Sequence, residues 1–283
     1  MEGIERAITS AGKIAYRRAG SGEPVLLLHG IPTSSFLWRN VIPFLAGHYT
    51  VLAPDLLGYG DSDKPEDADL SVKAQGDYIG QFLHSMGVSS YIAVGHDIGG
   101  GVAQILAVRH PERVRRLALI DSIVDDSWPV PDIARLKDPA WDSIMQTVDL
   151  AKGFRKGFTR GMAAKEKVTE ELIGAYARPF DGLEGRRAYL RCARALNNQD
   201  LLSISEQIAS LTIPALVIWG QQDDFQPVEW GLRLIKKLAN SRLVVFPDGG
   251  HFLPEDKPEE IAKELIAFFQ GRGGGPRLRT SQR

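Results

Sequence analysis

An α/β fold, built on a mainly parallel sheet with helices on both faces and interrupted by an all-helical insertion, follows from three features of this chain. Short all-apolar runs alternate with longer amphipathic stretches, which is the rhythm of repeated strand–helix units. The apolar runs lack the polar alternation of a half-exposed strand, so they read as strands buried on both faces. Between residues 124 and 205 the runs stop, and helical spacing with scattered aromatics replaces them: Trp128, Trp141, Phe154, Phe158, Tyr176, Phe180 and Tyr189.

The elements follow in order. Residues 4–19 read as an opening hairpin turning at Ala11-Gly12. Val25-Leu-Leu-Leu28 and Tyr49-Thr-Val-Leu-Ala53 are the next strands, and residues 72–86 a helix. Tyr91-Ile-Ala-Val94 and Leu117-Ala-Leu-Ile120 are strands on either side of a helix at 100–109. Ala215-Leu-Val-Ile-Trp219 and Leu243-Val-Val-Phe246 resume the sheet after the insertion. Residues 258–270 close as a helix with proline in its first turn. The expected organisation is a core of residues 1–123 and 206–270, a helical lid of 124–205, and a flexible tail at 271–283, which is rich in glycine and arginine and has no acidic residue. No internal repeat stands out.

Composition narrows the function. At 283 residues the chain can bury one large core, and 43% hydrophobic with 24% charged residues is ordinary for a globular protein. A formal net charge of −1 argues against nucleic acid or acidic membranes as partners and leaves a small-molecule substrate. No apolar run approaches the roughly 20 residues of a membrane span. Cys192, the one cysteine, excludes an internal disulfide. With no apolar signal core in Met1-Glu-Gly-Ile-Glu-Arg, a cytoplasmic location is expected. No cofactor or metal motif is present.

The chemistry gathers where strands end. Gly95-His-Asp-Ile-Gly99 lies between a strand and a helix, in the pattern of a G-x-S-x-G nucleophile elbow with aspartate in place of serine. A carboxylate suits attack on a saturated carbon bearing a leaving group, because the product is an ester that water can cleave. Asp97 is therefore the candidate nucleophile. His251, in Asp248-Gly-Gly-His-Phe-Leu-Pro254, follows the last strand and is the candidate base, with His29 and His96 in supporting hydrogen-bond roles. Asp223, in Trp219-Gly-Gln-Gln-Asp223, is the preferred acid to hold that imidazole, and Asp121, in Leu119-Ile-Asp-Ser122, is the alternative. In His29-Gly-Ile-Pro32 the backbone N–H of Ile31, with that of Ile98, supplies two donors for an oxyanion.

These residues resemble the α/β-hydrolase superfamily from about residue 10 to 270, specifically the aspartate branch that holds haloalkane dehalogenases and epoxide hydrolases. His29-Gly-Ile-Pro-Thr-Ser-Ser-Phe-Leu-Trp-Arg-Asn40, Ala53-Pro-Asp-Leu-Leu-Gly-Tyr-Gly-Asp-Ser-Asp-Lys-Pro65 and Tyr176-Ala-Arg-Pro-Phe180 look most like the dehalogenases. That resemblance implies an asparagine after His-Gly and a tryptophan after the nucleophile to hold a departing halide. Here Ile31 and Ile98 stand instead, with no side-chain donor, and Trp141 is the lid's candidate donor. The arginines that haloacetate dehalogenases place after the nucleophile are matched by neither Ile98 nor Gly101. Epoxide hydrolases keep the leaving oxygen on the substrate and protonate it with two lid tyrosines, for which Tyr189 and Tyr176 are candidates. The expected function is an epoxide-hydrolase-like hydrolase acting on an apolar small molecule. A dehalogenase, a non-hydrolytic biosynthetic enzyme for cyclisation or ring opening, and a degenerate ligand-binding protein are the alternatives.

Overall fold

Val25 to Leu28 expose no surface, which requires protein above, below and on both sides of that strand. The computed structural model, which describes residues 3–272 and 278–280, shows how this is met. The strands are β1 (Glu5–Thr9), β2 (Gly12–Ala19), β3 (Glu23–Leu28), β4 (Tyr49–Pro54), β5 (Tyr91–His96), β6 (Val114–Ile120), β7 (Ala215–Gly220), β8 (Ser241–Phe246) and β9 (Leu278–Thr280). Among the described residues they form one sheet in the order β1-β2-β4-β3-β5-β6-β7-β8-β9. Only the opening strands run antiparallel, β1 with β2 and β2 with β4. From β4 to β9 every pairing is parallel.

The helices of eight residues or more are α1 (Val72–Ser85), α2 (Ile98–Arg109), α3 (Leu150–Gly161), α4 (Glu170–Ala177), α5 (Gly182–Ala195), α6 (Glu229–Lys237) and α7 (Pro258–Phe269). Two separate apolar clusters flank the sheet. One contains Ile79, Phe82 and Leu106 of α1 and α2; the other contains Ile261, Leu265 and Phe269 of α7 with Trp38. Each face is covered, as the all-apolar strand runs require.

Between β6 and β7 the chain is helical from Pro131 to Ala209 and contributes no strand. Its last turn, Ser205–Ala209, straddles the expected boundary at 205. The expectation of a flexible tail from 271 needs correction at residues 278–280, which pair in parallel with Leu243–Val245 of β8. The open edge of β8 offers unpaired N–H and C=O groups, and edge pairing rather than intrinsic propensity recruits Leu-Arg-Thr. The rest of that tail lies outside the described residues. No described helix is long and apolar enough to cross a membrane.

Candidate active site

In a parallel sheet the carboxyl ends of the strands share one edge, and ligands bind there. The segments after β3, β5, β6, β7 and β8 carry Ile31, Asp97, Asp121, Asp223 and His251 to that edge.

Asp97 caps α2 with φ 50° and ψ −122°, a region that side-chain-bearing residues rarely occupy. The turn is forced by close contacts. A Cβ on Gly95 would lie 2.3 Å from the carbonyl oxygen of Gly99, and one on Gly99 would lie 2.5 Å from those of Leu28 and His29. Only hydrogen fits at either position, so the turn projects Asp97 away from the sheet. Its Oδ2 accepts the N–H of Ile31 at 2.9 Å, and the N–H of Ile98 also bonds the carboxylate. Burial pushes this carboxyl up to about 6, against the opposing pull of His251 and of the two N–H groups.

His251 Nδ1 lies 2.8 Å from Asp223 Oδ2. The other oxygen of Asp223 accepts the N–H groups of Phe225 and Gln226, both at 2.8 Å. Trp219 Nε1 donates to the Gln226 carbonyl at 2.6 Å and closes that turn. Burial alone would lower the His251 pKa, but the charge and hydrogen bond of Asp223, with the charge of Asp97, outweigh it and leave it raised. His96 Nε2 lies 2.7 Å from the His251 carbonyl oxygen, and His29 Nε2 accepts the N–H of Leu56 at 2.9 Å.

Asp121, the alternative acid, does not bond the imidazole. Its Oδ1 accepts the N–H of Gly220 at 2.8 Å, and its buried Oδ2 has no hydrogen-bond partner. Burial and the neighbouring charge of Asp223 hold its pKa well above the carboxylate range. A neutral acid there adds no second negative charge beside Asp223.

Asp97 and His251 open onto a cavity of about 610 Å³ walled by the inserted helices. Ile31, Leu136, Trp141, Phe158 and Tyr189 line it. Tyr189 packs edge-on to Phe154 and Phe180, and burial raises its hydroxyl pKa. Tyr176, the other candidate tyrosine of the inserted helices, is absent from this wall. Its hydroxyl donates to Glu255, whose carboxylate also takes both ends of the Arg39 guanidinium, at 2.5 and 2.9 Å. That charged partner fixes the phenol outside the cavity, so Tyr176 is a tie between the insertion and the core. Among the described residues no cluster of three or more His, Cys, Asp or Glu could hold a metal.

Sequence reading missed one set of cavity residues. Lys152-Gly-Phe154 recurs four residues on as Lys156-Gly-Phe158, and Arg160-Gly161 follows. All eight residues except Gly161 line the cavity. The short period, one helical turn, was the available signal.

The sequence profile of the alpha/beta hydrolase fold matches residues 23–258. The chain belongs to the α/β-hydrolase fold family. Within that family it is 31% identical over 271 residues to haloalkane dehalogenase 2 of Mycobacterium tuberculosis, covering 92% of this chain and 93% of the relative. It is 29% identical over 277 residues to the cis-3-alkyl-4-alkyloxetan-2-one decarboxylase of Shewanella oneidensis, covering 92% and 86%. The solved epoxide hydrolase CorEH superposes with a TM-score of 0.81 at 28% identity, over 95% of this chain and 99% of that one. This member of the α/β-hydrolase family thus resembles dehalogenases and epoxide hydrolases to a similar degree.

Proposed function

We propose that this chain is a hydrolase that forms a covalent alkyl ester on Asp97 and acts on epoxides with an apolar body, the inserted helices serving as its lid. One observation carries the reading. A carboxylate bound by the Ile31 N–H and a His251–Asp223 pair face one apolar cavity, while positions 31 and 98 offer no side-chain donor for a free halide. A buried halide without donors is costly, whereas an epoxide oxygen stays on the carbon skeleton.

The steps balance. Asp97 Oδ1 attacks a ring carbon, the carbon–oxygen bond breaks, and the ring oxygen takes the proton of Tyr189, which lines the cavity. Oδ2, already held by the Ile31 N–H, becomes the ester carbonyl oxygen. Water gives a proton to His251 Nε2 and adds to that carbonyl carbon, and the oxyanion meets the N–H groups of Ile31 and Ile98. Collapse expels the alkoxide, which takes the His251 proton and leaves as a diol; solvent reprotonates Tyr189. Replacing His251 with Gln stops the second half, so intact-mass measurement should show one substrate mass added at Asp97. No mass gain with an epoxide that the parent enzyme turns over would sink the proposal.

A second reading draws on the same site. Only one of the two lid tyrosines lines the cavity, and an oxetan-2-one needs none. Asp97 would attack the alkyl carbon of the ring oxygen and release a carboxylate on the same molecule. Loss of CO₂ would then form an alkene and expel Asp97 without water. Tyr189→Phe separates the two readings: it should slow epoxide opening by about a hundredfold, and it would spare an oxetanone.

A further inference from the structure

Helix α3 ends at the chemistry and leads away from it. The carbonyl oxygen of Gly161, its last residue, accepts the N–H of His251 at 2.6 Å. At 1.5 Å per residue, Lys156 lies about 8 Å and Lys152 about 14 Å back along the axis. Both line the cavity at its open side, where both side chains are exposed to solvent. Neither ammonium pairs with a carboxylate among the described residues. Other charges on the wall are largely answered. Asp132 lies 3.1 Å from Arg160 and 3.8 Å from Arg135, and Asp149 Oδ1 caps the helix by accepting the N–H of Lys152.

Beside each lysine stands a glycine. Gly153 and Gly157 line the cavity, and a Cβ on either would meet nothing within 4 Å. Glycine inside a helix is unfavourable, and no protein atom demands it at these two positions. The space beside them is open: Gly153 is exposed and Gly157 half-buried, at the rim of the cavity. Phe154 and Phe158 add apolar wall between the charged end and Asp97.

We infer that the outer end of this cavity is a subsite for an anionic head group: the enzyme's substrate is an alkyl chain with a reactive carbon at Asp97 and a terminal carboxylate at Lys152 and Lys156. The chain would lie along the glycines, which explains the missing side chains. This assignment rests on the reaction proposed for Asp97, and it also makes a binding claim that can be read without turnover.

Two measurements test it. The first compares undecanoate carrying a terminal epoxide with its methyl ester. The parent enzyme should prefer the acid, and Lys152→Gln/Lys156→Gln should lower the acid-to-ester ratio of kcat/KM about tenfold. Lys236→Gln, on an exposed part of α6, is the control. The second titrates dodecanoate and dodecanol against tryptophan fluorescence in a variant that keeps Trp141, which lines the cavity, and carries Trp230→Phe at a half-buried position of α6, with Trp141→Phe as the blank. The double variant should weaken dodecanoate binding about tenfold, and raised salt should have the same effect on the parent enzyme. If neither epoxide is turned over but dodecanoate binds through the lysines, the reaction fails and the subsite stands. An unchanged dodecanoate affinity in the double variant overturns the subsite.

Discussion

Asp97 carries a stability cost that its position makes measurable. Its carboxyl is pushed from 3.8 in a free side chain to about 6 in the fold. Between those values the folded chain holds the proton and the unfolded chain does not. Stability from this group therefore falls as pH rises through that window, and the full penalty applies above about 6. The shift corresponds to roughly 2–3 kcal/mol. Asp97→Asn should melt higher than the parent protein at pH 7, with the gap nearly closed at pH 4. A gap of equal size at both pH values would show that burial of the charge is not its cause. Much of this site was legible as residue types and spacing, since the elbow glycines are needed by steric contacts between near neighbours. The choice between Asp223 and Asp121 was not. Both follow buried strands at one sheet edge, and only the tertiary path of the turn closed by Trp219 decides which carboxylate meets His251.

At the scale of elements, the apolar strands were plain because burial on both faces leaves an unbroken signature in the residues. What an element touches was less so. Tyr176 reads as a lid aromatic, but its partner Glu255 lies 79 positions away in the core, and no local pattern announces that pair. Strand β9 was hidden because its residues are recruited by the edge of β8. Helix α3 carries the prediction here. Filling Gly153 and Gly157 with alanine should stabilise the fold by about 0.5–1 kcal/mol each, since both sites have helical backbone and free space. Denaturant titration would register the gain. The same double variant should lose kcat/KM toward long substrates, because the added methyl groups stand at the rim of the cavity. A variant both more stable and equally active would remove the reason offered for these glycines.

Across the whole molecule, the insertion is tied to the core most heavily at one end of α3, with single bonds elsewhere, as from Arg191 to the Lys64 carbonyl and from the Lys73 N–H to Asp200. Asp256 accepts the N–H groups of Ala163, Ala164 and Gly250 at 2.9, 3.0 and 2.9 Å. Lys167 bonds the carbonyl oxygens of Glu255 and Asp256 at 3.1 and 2.8 Å. These bonds gather at the carboxyl-terminal end of α3, beside His251. Hydrogen exchange should find the amides of 161–164 and 250–252 protected together, and those of 140–152 exchanging much faster; equal protection at both ends would contradict this division. If that pattern holds, the stretch 140–152 works as the free edge of a door. Its hinge post is the loop that carries the imidazole, so the door cannot swing there without unseating the base. It must open at the far jamb, where Lys152 stands, and a molecule passing in would meet the lysines before it meets the aspartate.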